Sequence, residues 1–391
     1  MTVGTVDVQD VDLFADEVLD DPYPVYRRLR DTAPVVRSHC HDVWMVPRYD
    51  EVRAVLRDWR SFSSAAGTAM DDEVNRLRAG NIISTDPPEH DALRDVLSAQ
   101  LSARALGALQ GDIEARAQSL VDALVASGGG DVVTGLAEPL PLHVVADLVG
   151  FPPEGREGLL TWVEASFNTF GPMNQRTRES IPKLQGVWSY LRSVSEPGRL
   201  APGGLGAAIF AAAERGAITA EQRLPLLFAY ATAGIDTTVN ALSSAVWLLA
   251  QHRDQWEALR QDPNLAAGAM NETLRLESPI QCFTRLAGAG SRIGDAEIPS
   301  GSRVLVLFGS ANRDERKWVD PDRFDIRRPA ADHVAFGYGI HSCAGQYLAR
   351  LEGQIALSVL ARSVTSIRLV GVQRKRNNVL RGFRHLQVEL R

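Results

Sequence analysis

The chain has 391 residues, of which 45% are hydrophobic and 23% charged, the composition of a soluble globular protein without low-complexity tracts. Forty-eight acidic residues outnumber 42 basic ones, which speaks against nucleic acid as a partner. Three cysteines far apart in sequence (Cys40, Cys282, Cys343) give no disulfide framework and fit a reducing cytoplasm.

The opening residues are acidic and lack a basic segment followed by an apolar one, so neither a signal peptide nor a membrane anchor is expected. An amphipathic helix is predicted over 23–30, ended before Pro34 by the restriction proline places on its predecessor. Strands near 35–37 and 43–46 follow, then a helix over 50–57. His39 and His41 flank Cys40, and strand alternation puts both on one face. A metal pair is the sharper reading, an exposed hairpin pair the simpler one. Asp86 with Pro87 and Pro88 predicts a capped helix start. On that helix His90 and Arg94 share a face, as a solvated polar surface or as two donors for an anion.

Helices are predicted over 106–127, 142–150, 154–170 and 181–194. The Pro/Gly loop 196–206 gives way at once to more helix, so it is not read as a domain linker. The stretch 224–250 is long enough for a membrane span. Asp236, Thr237, Thr238, Asn240, Ser243 and Ser244 would be costly there, which predicts one long helix through a protein core instead. Within it Gly234 costs roughly 1 kcal/mol against alanine, and a buried Asp236 is costly unless paired. Such a local conflict suggests function. Further on, Glu272 and Arg275 are three apart on a helix and able to pair. Strands at 292–293 and 304–308 and a hairpin within 379–390 predict a small β component. No glycine-rich dinucleotide fingerprint and no Walker motif appears, so no flavin or nicotinamide domain is expected.

The densest motif is FGYGIHSCAG, 336–345. Gly337, Gly339 and Gly345 permit tight turns and close approach by a flat ligand. Helical pattern begins at Gln346, so Cys343 sits where a loop feeds a helix, and the helix dipole is expected to lower its thiol pKa. One sulfur and one nearby histidine are too few for structural zinc.

The order Phe336, Gly339, His341, Cys343, Gly345 resembles the haem-ligand loop of the cytochrome P450 superfamily. His90 and Arg94 behind a DPP turn, AGIDTT at 233–238, Glu272 with Arg275, Arg285, and PDRF at 321–324 extend the resemblance over essentially the whole chain. It implies a mainly α fold with a small β component, the triangular helical prism, as one domain over 1–391. It implies haem b with Cys343 as the metal ligand, His90, Arg94, Arg285 and His341 as partners of the propionates, and Phe336, Gly337 and Gly345 beside the ring. By the same resemblance Gly234 leaves room for dioxygen and Asp236 with Thr237 forms an acid–alcohol pair that delivers protons. Glu272 and Arg275 then pair with Arg323 and brace the cysteine loop.

The implied activity is that of a haem-thiolate monooxygenase using O2 and electrons from a ferredoxin and its reductase. Arg350 or the run 374–376 would steer the acidic donor, and neither membrane nor nucleic acid is an expected partner. A peroxide-driven peroxygenase and a non-catalytic haem sensor or carrier are the rivals, and neither needs the acid–alcohol pair. FNTFGPMN, LAPGGLG, SANRD and ESPIQ are similar to members that oxidise para-substituted benzoates. That likeness implies a pocket of Phe167, Phe170, Phe228, Ala233, Ile280, Phe283, Ile82 and Ile83. Those relatives hold the carboxylate with polar groups that include a serine where this chain has Phe228 and Ala229. An uncharged methoxyphenol or alkyl-arene is therefore the expected substrate. A benzoate is the alternative, with Arg76 or Arg78 as the compensating cation.

Overall fold

A computed structural model describes residues 6–8, 11–98 and 100–391, with 53% of the chain helical and 13% in strands. At its centre lies the helix Asp236–Gln251, buried on nearly every side as its lack of a polar face requires. It packs against Ala266–Leu276, Gln346–Ser363 and the C-terminal hairpin. The predicted single helix over 224–250 is in fact two, Arg223–Ala233 and Asp236–Gln251, interrupted at Gly234 and Ile235. Side-chain hydroxyls take up carbonyls at the break: Thr237 donates to Ala233 C=O at 2.7 Å and Thr238 to Gly234 C=O at 3.1 Å.

Other helices fall close to their predicted places: Tyr23–Thr32, Tyr49–Arg57, Glu89–Ser98, Gln110–Ala126, Pro139–Val149, Leu159–Asn168 and Leu184–Val194. Asp86 does not cap its helix through its side chain; its carboxylate accepts from Ser63 Oγ (2.6 Å) and Ser64 N–H (3.1 Å). His39, Cys40 and His41 lie in the turn between Val36–Ser38 and Val43–Val46, so no strand face aligns the two histidines. No helix among the described residues is long and apolar enough to cross a membrane.

A six-stranded sheet runs in the order Val6–Val8, Val36–Ser38, Val43–Val46, Arg303–Leu307, Cys282–Ala287, Phe62–Ser63. It carries Phe283 and Arg285 to the site. A second sheet pairs Ile367–Arg376 with Arg381–Leu390 and adds Gly129–Asp131. This hairpin is tied to the body by charge. Glu277, buried, meets Arg381 at 2.9 Å, Arg374 at 3.1 Å and Arg313 at 2.9 Å. Burial alone would raise its carboxyl, yet the three guanidinium groups hold it down at about 2. Arg376 pairs with Asp16 and Asp20, each at 2.6 Å.

Candidate active site

One cavity is enclosed by the 336–345 loop, the helix break at Gly234, the helix Glu89–Ser98, the strand Cys282–Ala287 and the end of Leu159–Asn168. The loop is shaped by glycine where the backbone demands it. Gly337 and Gly339 have φ of 69° and 74°, and a Cβ on Gly339 would stand 2.5 Å from Leu56 C=O. A Cβ on Gly345 would meet nothing within 4 Å, so this residue keeps open a flat space instead. Cys343 N–H donates to Phe336 C=O at 2.8 Å, which fixes the sulfur at the cavity wall. The helix Gln346–Ser363 does begin directly behind it. The thiol is nonetheless pushed up, because burial outweighs the Gly345 N–H and the charges of Arg94 and Arg350. This corrects the expectation of a lowered pKa. A coordinated cation, rather than the helix, is what makes such a sulfur a thiolate.

Two arginines and two histidines face the same cavity with hydrogen-bonding capacity left over among the described residues. Arg285 is buried, donates to Thr284 C=O at 2.7 Å, has no ion-pair partner among the described residues, and is lowered by burial to about 10. Arg94 lines the wall beside it. The rings of His90 and His341 stand 4.5 Å apart; His90 Nδ1 meets Asp91 Oδ1 at 2.9 Å, His341 Nε2 is 3.9 Å from Asp86 Oδ1, and the two buried Nε2 atoms make no hydrogen bond among the described residues. Burial drops His341 to about 4, so it is a neutral donor at pH 7. Two cations and two imidazoles with ring or guanidinium nitrogens to spare, beside a flat space and a cysteine, fit an iron porphyrin with two carboxylates, and the residues present therefore suit haem b.

Behind the loop, Glu272 and Arg275 are fully buried and joined by two hydrogen bonds of 2.7 and 2.8 Å. Arg275 also donates to the carbonyls of Asn312, Pro321 and Arg323. The third charge is Arg328, whose Nε reaches Glu272 at 3.0 Å. It is not Arg323, whose side chain is out in solvent and which offers only its carbonyl.

Thr237 and Gly234 line the cavity, whereas Asp236 does not. Consecutive helical residues point about 100° apart, and Asp236 turns to Lys375, 2.9 Å away, with Glu164 3.7 Å beyond the same ammonium. Burial raises the Asp236 carboxyl against the pull of Lys375. Lys375, which burial alone would lower, is carried above its usual value by the two carboxylates. Thus Lys375 is an internal residue, and the 374–376 run is spent on Glu277, Asp236, Asp16 and Asp20 rather than free to steer a donor. Arg350 is half-buried, donating to Asn271 and Gln346.

The opposite wall holds Phe167, Phe170, Ile82, Ile83, Ala233, Ile280 and Phe283. Phe228 is not among them, because it stacks on Trp188 at 4.7 Å. Arg76 is exposed, but Arg78 is buried in the cavity wall. Its guanidinium lies 4.0 Å from the Phe170 centroid and 5.7 Å from that of Phe228. It donates to Ser166 C=O (2.6 Å), Ser166 Oγ (3.0 Å) and Thr169 Oγ1 (2.7 Å), all neutral. Its Nε has no partner, no carboxylate pairs with it among the described residues, and burial lowers it to about 9, still cationic at neutral pH. Glu352, also lining the cavity, has both oxygens unpartnered and is raised by burial to about 8. Nothing in sequence spacing marks Lys375, Arg328 or Glu352.

A family model described as Cytochrome P450 matches residues 209–365. The chain is 41% identical over 385 residues to Cytochrome p450 CYP199A2 of Rhodopseudomonas palustris, covering 97% of this chain and 93% of that one. It is 34% identical to Cytochrome P450 monooxygenase PikC of Streptomyces venezuelae, covering 92% and 88%. Among solved structures it resembles P450BioI, in complex with an acyl carrier protein ligated to hexadec-9Z-enoic acid, with TM-score 0.88 and 29% identity over 96% and 99% of the two chains. Cytochrome P450 CREJ in complex with (4-ethylphenyl) dihydrogen phosphate matches with TM-score 0.87 and 28% identity over 95% and 98%. Relatives of this identity along nearly the full chain, joined to the same fold and a cysteine-bearing cavity that suits haem b, make the chain a member of the cytochrome P450 family of haem-thiolate monooxygenases.

Proposed function

We propose that this P450 inserts one oxygen atom of O2 into a small arene that carries an anionic group, by O-demethylation or hydroxylation, with electrons from a ferredoxin. Bound haem supplies the O2 activation. Cys343 is its ligand; Arg94, Arg285, His90 and His341 take the propionates. Thr237 holds a hydroxyl proton at the helix break, and Asp236 serves it as the acid once it leaves Lys375. The rival sensor, carrier and peroxygenase readings give no role to a hydroxyl placed on the cavity wall beside Gly234. Thr237→Ala should bind substrate normally but release hydrogen peroxide in place of product; product formed per reduced nicotinamide consumed would show it, and unchanged coupling rejects the role.

Arg78 carries the substrate reading. An ionised group inside an apolar wall costs several kcal/mol unless it meets an opposite charge. None is provided among the described residues, so the substrate is the natural source. Phe167, Phe170 and Phe283 supply flat apolar walls for a ring. The solved relative that holds (4-ethylphenyl) dihydrogen phosphate binds an arene with an anionic end, which favours the same class. The preference for an uncharged methoxyphenol therefore gives way to a para-substituted benzoate. Oxygen inserted at a methoxy carbon gives a hemiacetal that collapses to a phenol and formaldehyde. Haem spectral titration and formaldehyde release should favour 4-methoxybenzoate over 4-methoxyphenol. Arg78→Leu should weaken benzoate binding about a hundredfold, in line with the 2–5 kcal/mol lost when one side of a buried charge pair is removed. Arg78→Lys, which keeps the charge, should recover part of it. Tighter, better-coupled turnover of the phenol would overturn the anionic substrate.

A further inference from the structure

Away from the haem cavity, Asp12 and the turn that follows Val36–Ser38 bring a carboxylate, a thiol and an imidazole together. One ligand atom from each of Asp12, Cys40 and His41 lies within 4.8 Å of the others. His41 Nε2 already touches Asp12 Oδ1 at 2.7 Å. The arrangement is held from both sides: Asp12 Oδ1 also accepts from Phe14 N–H at 2.8 Å, and the Phe14 ring meets the His41 ring edge-on at 5.2 Å. Cys40 is exposed, so its sulfur is open to solvent, whereas His41 and Asp12 are partly covered.

We infer that Asp12, Cys40 and His41 form a binding site for a zinc-class divalent cation. Nitrogen, sulfur and oxygen donors together are a zinc-type set, and three protein ligands leave the fourth tetrahedral position to water. Bonds of about 2.0 Å to N and O and about 2.3 Å to S place tetrahedral ligand atoms roughly 3.3–3.6 Å apart. The present spread brackets that value. The His41–Asp12 contact has to open by about 0.6 Å and the thiol to draw in, which side-chain rotations of the exposed Cys40 and the half-buried His41 can supply. Cys40 gives up its proton on binding. Room for the fourth ligand exists in a surface cleft of about 370 Å³, walled by Asp12, Phe14, His41 and the residues Pro172 to Arg176. These last residues follow the helix that carries Phe167 into the substrate cavity. An ion here fastens the segment before Asp16–Asp20 to the hairpin turn beside that stretch.

The test uses holoenzyme with one haem per chain, so that Cys343 is occupied. Equilibrium dialysis against micromolar zinc, followed by elemental analysis, should find one zinc per chain in the wild type. Cys40→Ser and His41→Ala should each weaken binding at least tenfold. All three proteins should keep the same carbon monoxide spectrum, which separates loss of the site from loss of the fold. Zinc should also raise the melting temperature of the wild type and leave the Cys40→Ser/His41→Ala double variant unmoved. No zinc retained by the wild type, or equal zinc retained by the double variant, overturns the site.

Discussion

Cys343→Ala is expected to fold and yet to lose, in its reduced carbon monoxide complex, the strongly red-shifted Soret band of a thiolate-bound haem, together with monooxygenase turnover. The other cysteines cannot substitute. Cys282 is buried in a strand and pushed by burial up to about 12, and Cys40 is exposed at a distant turn. Only Cys343 reaches the cavity wall, held there by its own N–H on Phe336 C=O at 2.8 Å. The thiolate is also what favours O–O cleavage, so turnover falls with the band even where haem is retained through Arg94 and Arg285. A red-shifted band that survives the substitution would assign the iron to another residue.

Glu272→Gln should be the most damaging change outside the cavity. The carboxylate answers two guanidinium groups, Arg275 at 2.7 Å and Arg328 at 3.0 Å, and is fully buried with Arg275. An amide leaves both cations without a counter-charge, and removing one partner of a buried pair costs about 3–5 kcal/mol. That is a large part of the roughly 5–15 kcal/mol by which domains are stable. Because Arg275 also holds the carbonyls of Asn312, Pro321 and Arg323, the loss spreads into the segment that leads to the 336–345 loop. Most of the protein should accumulate without haem. A full haem-to-protein ratio and a melting temperature within a few degrees of wild type would remove this brace from the account.

The sequence was most readable where chemistry depends on residues close together in the chain. Gly337, Gly345, His341 and Cys343 of 336–345 and the His90–Arg94 pair are local patterns, and the structure brings them to the wall of one cavity. Pairings between distant segments were not readable. Arg328 rather than Arg323 completes the brace because Arg323 has turned outward to water, a choice decided by packing rather than by the PDRF motif. Asp236 and Thr237 are neighbours in sequence but lie on different sides of a helix, and the partner that claims Asp236 is more than a hundred residues away. Phe228 belongs to the pocket by the family likeness, yet it stacks on Trp188 instead. Arg78 carried too little local signal to be told from an exposed loop arginine, and its burial among Phe170, Ser166 and Thr169 is a tertiary fact.

The hairpin contacts of Glu277 and Asp236 also set an order for assembly on the ribosome. Both carboxylates are made well before their hairpin counter-charges: Arg374 and Arg381 follow Glu277 by 97 and 104 residues, and Lys375 follows Asp236 by 139. A nascent chain ending near Ser366 has Arg313 to meet Glu277 but no counter-charge for Asp236, whose burial then costs free energy, so it gains by keeping the central helix only loosely packed. Close packing, and with it a cavity tight enough to retain a porphyrin, waits for the hairpin to emerge. Cofactor capture is thereby made a late event in the making of the chain.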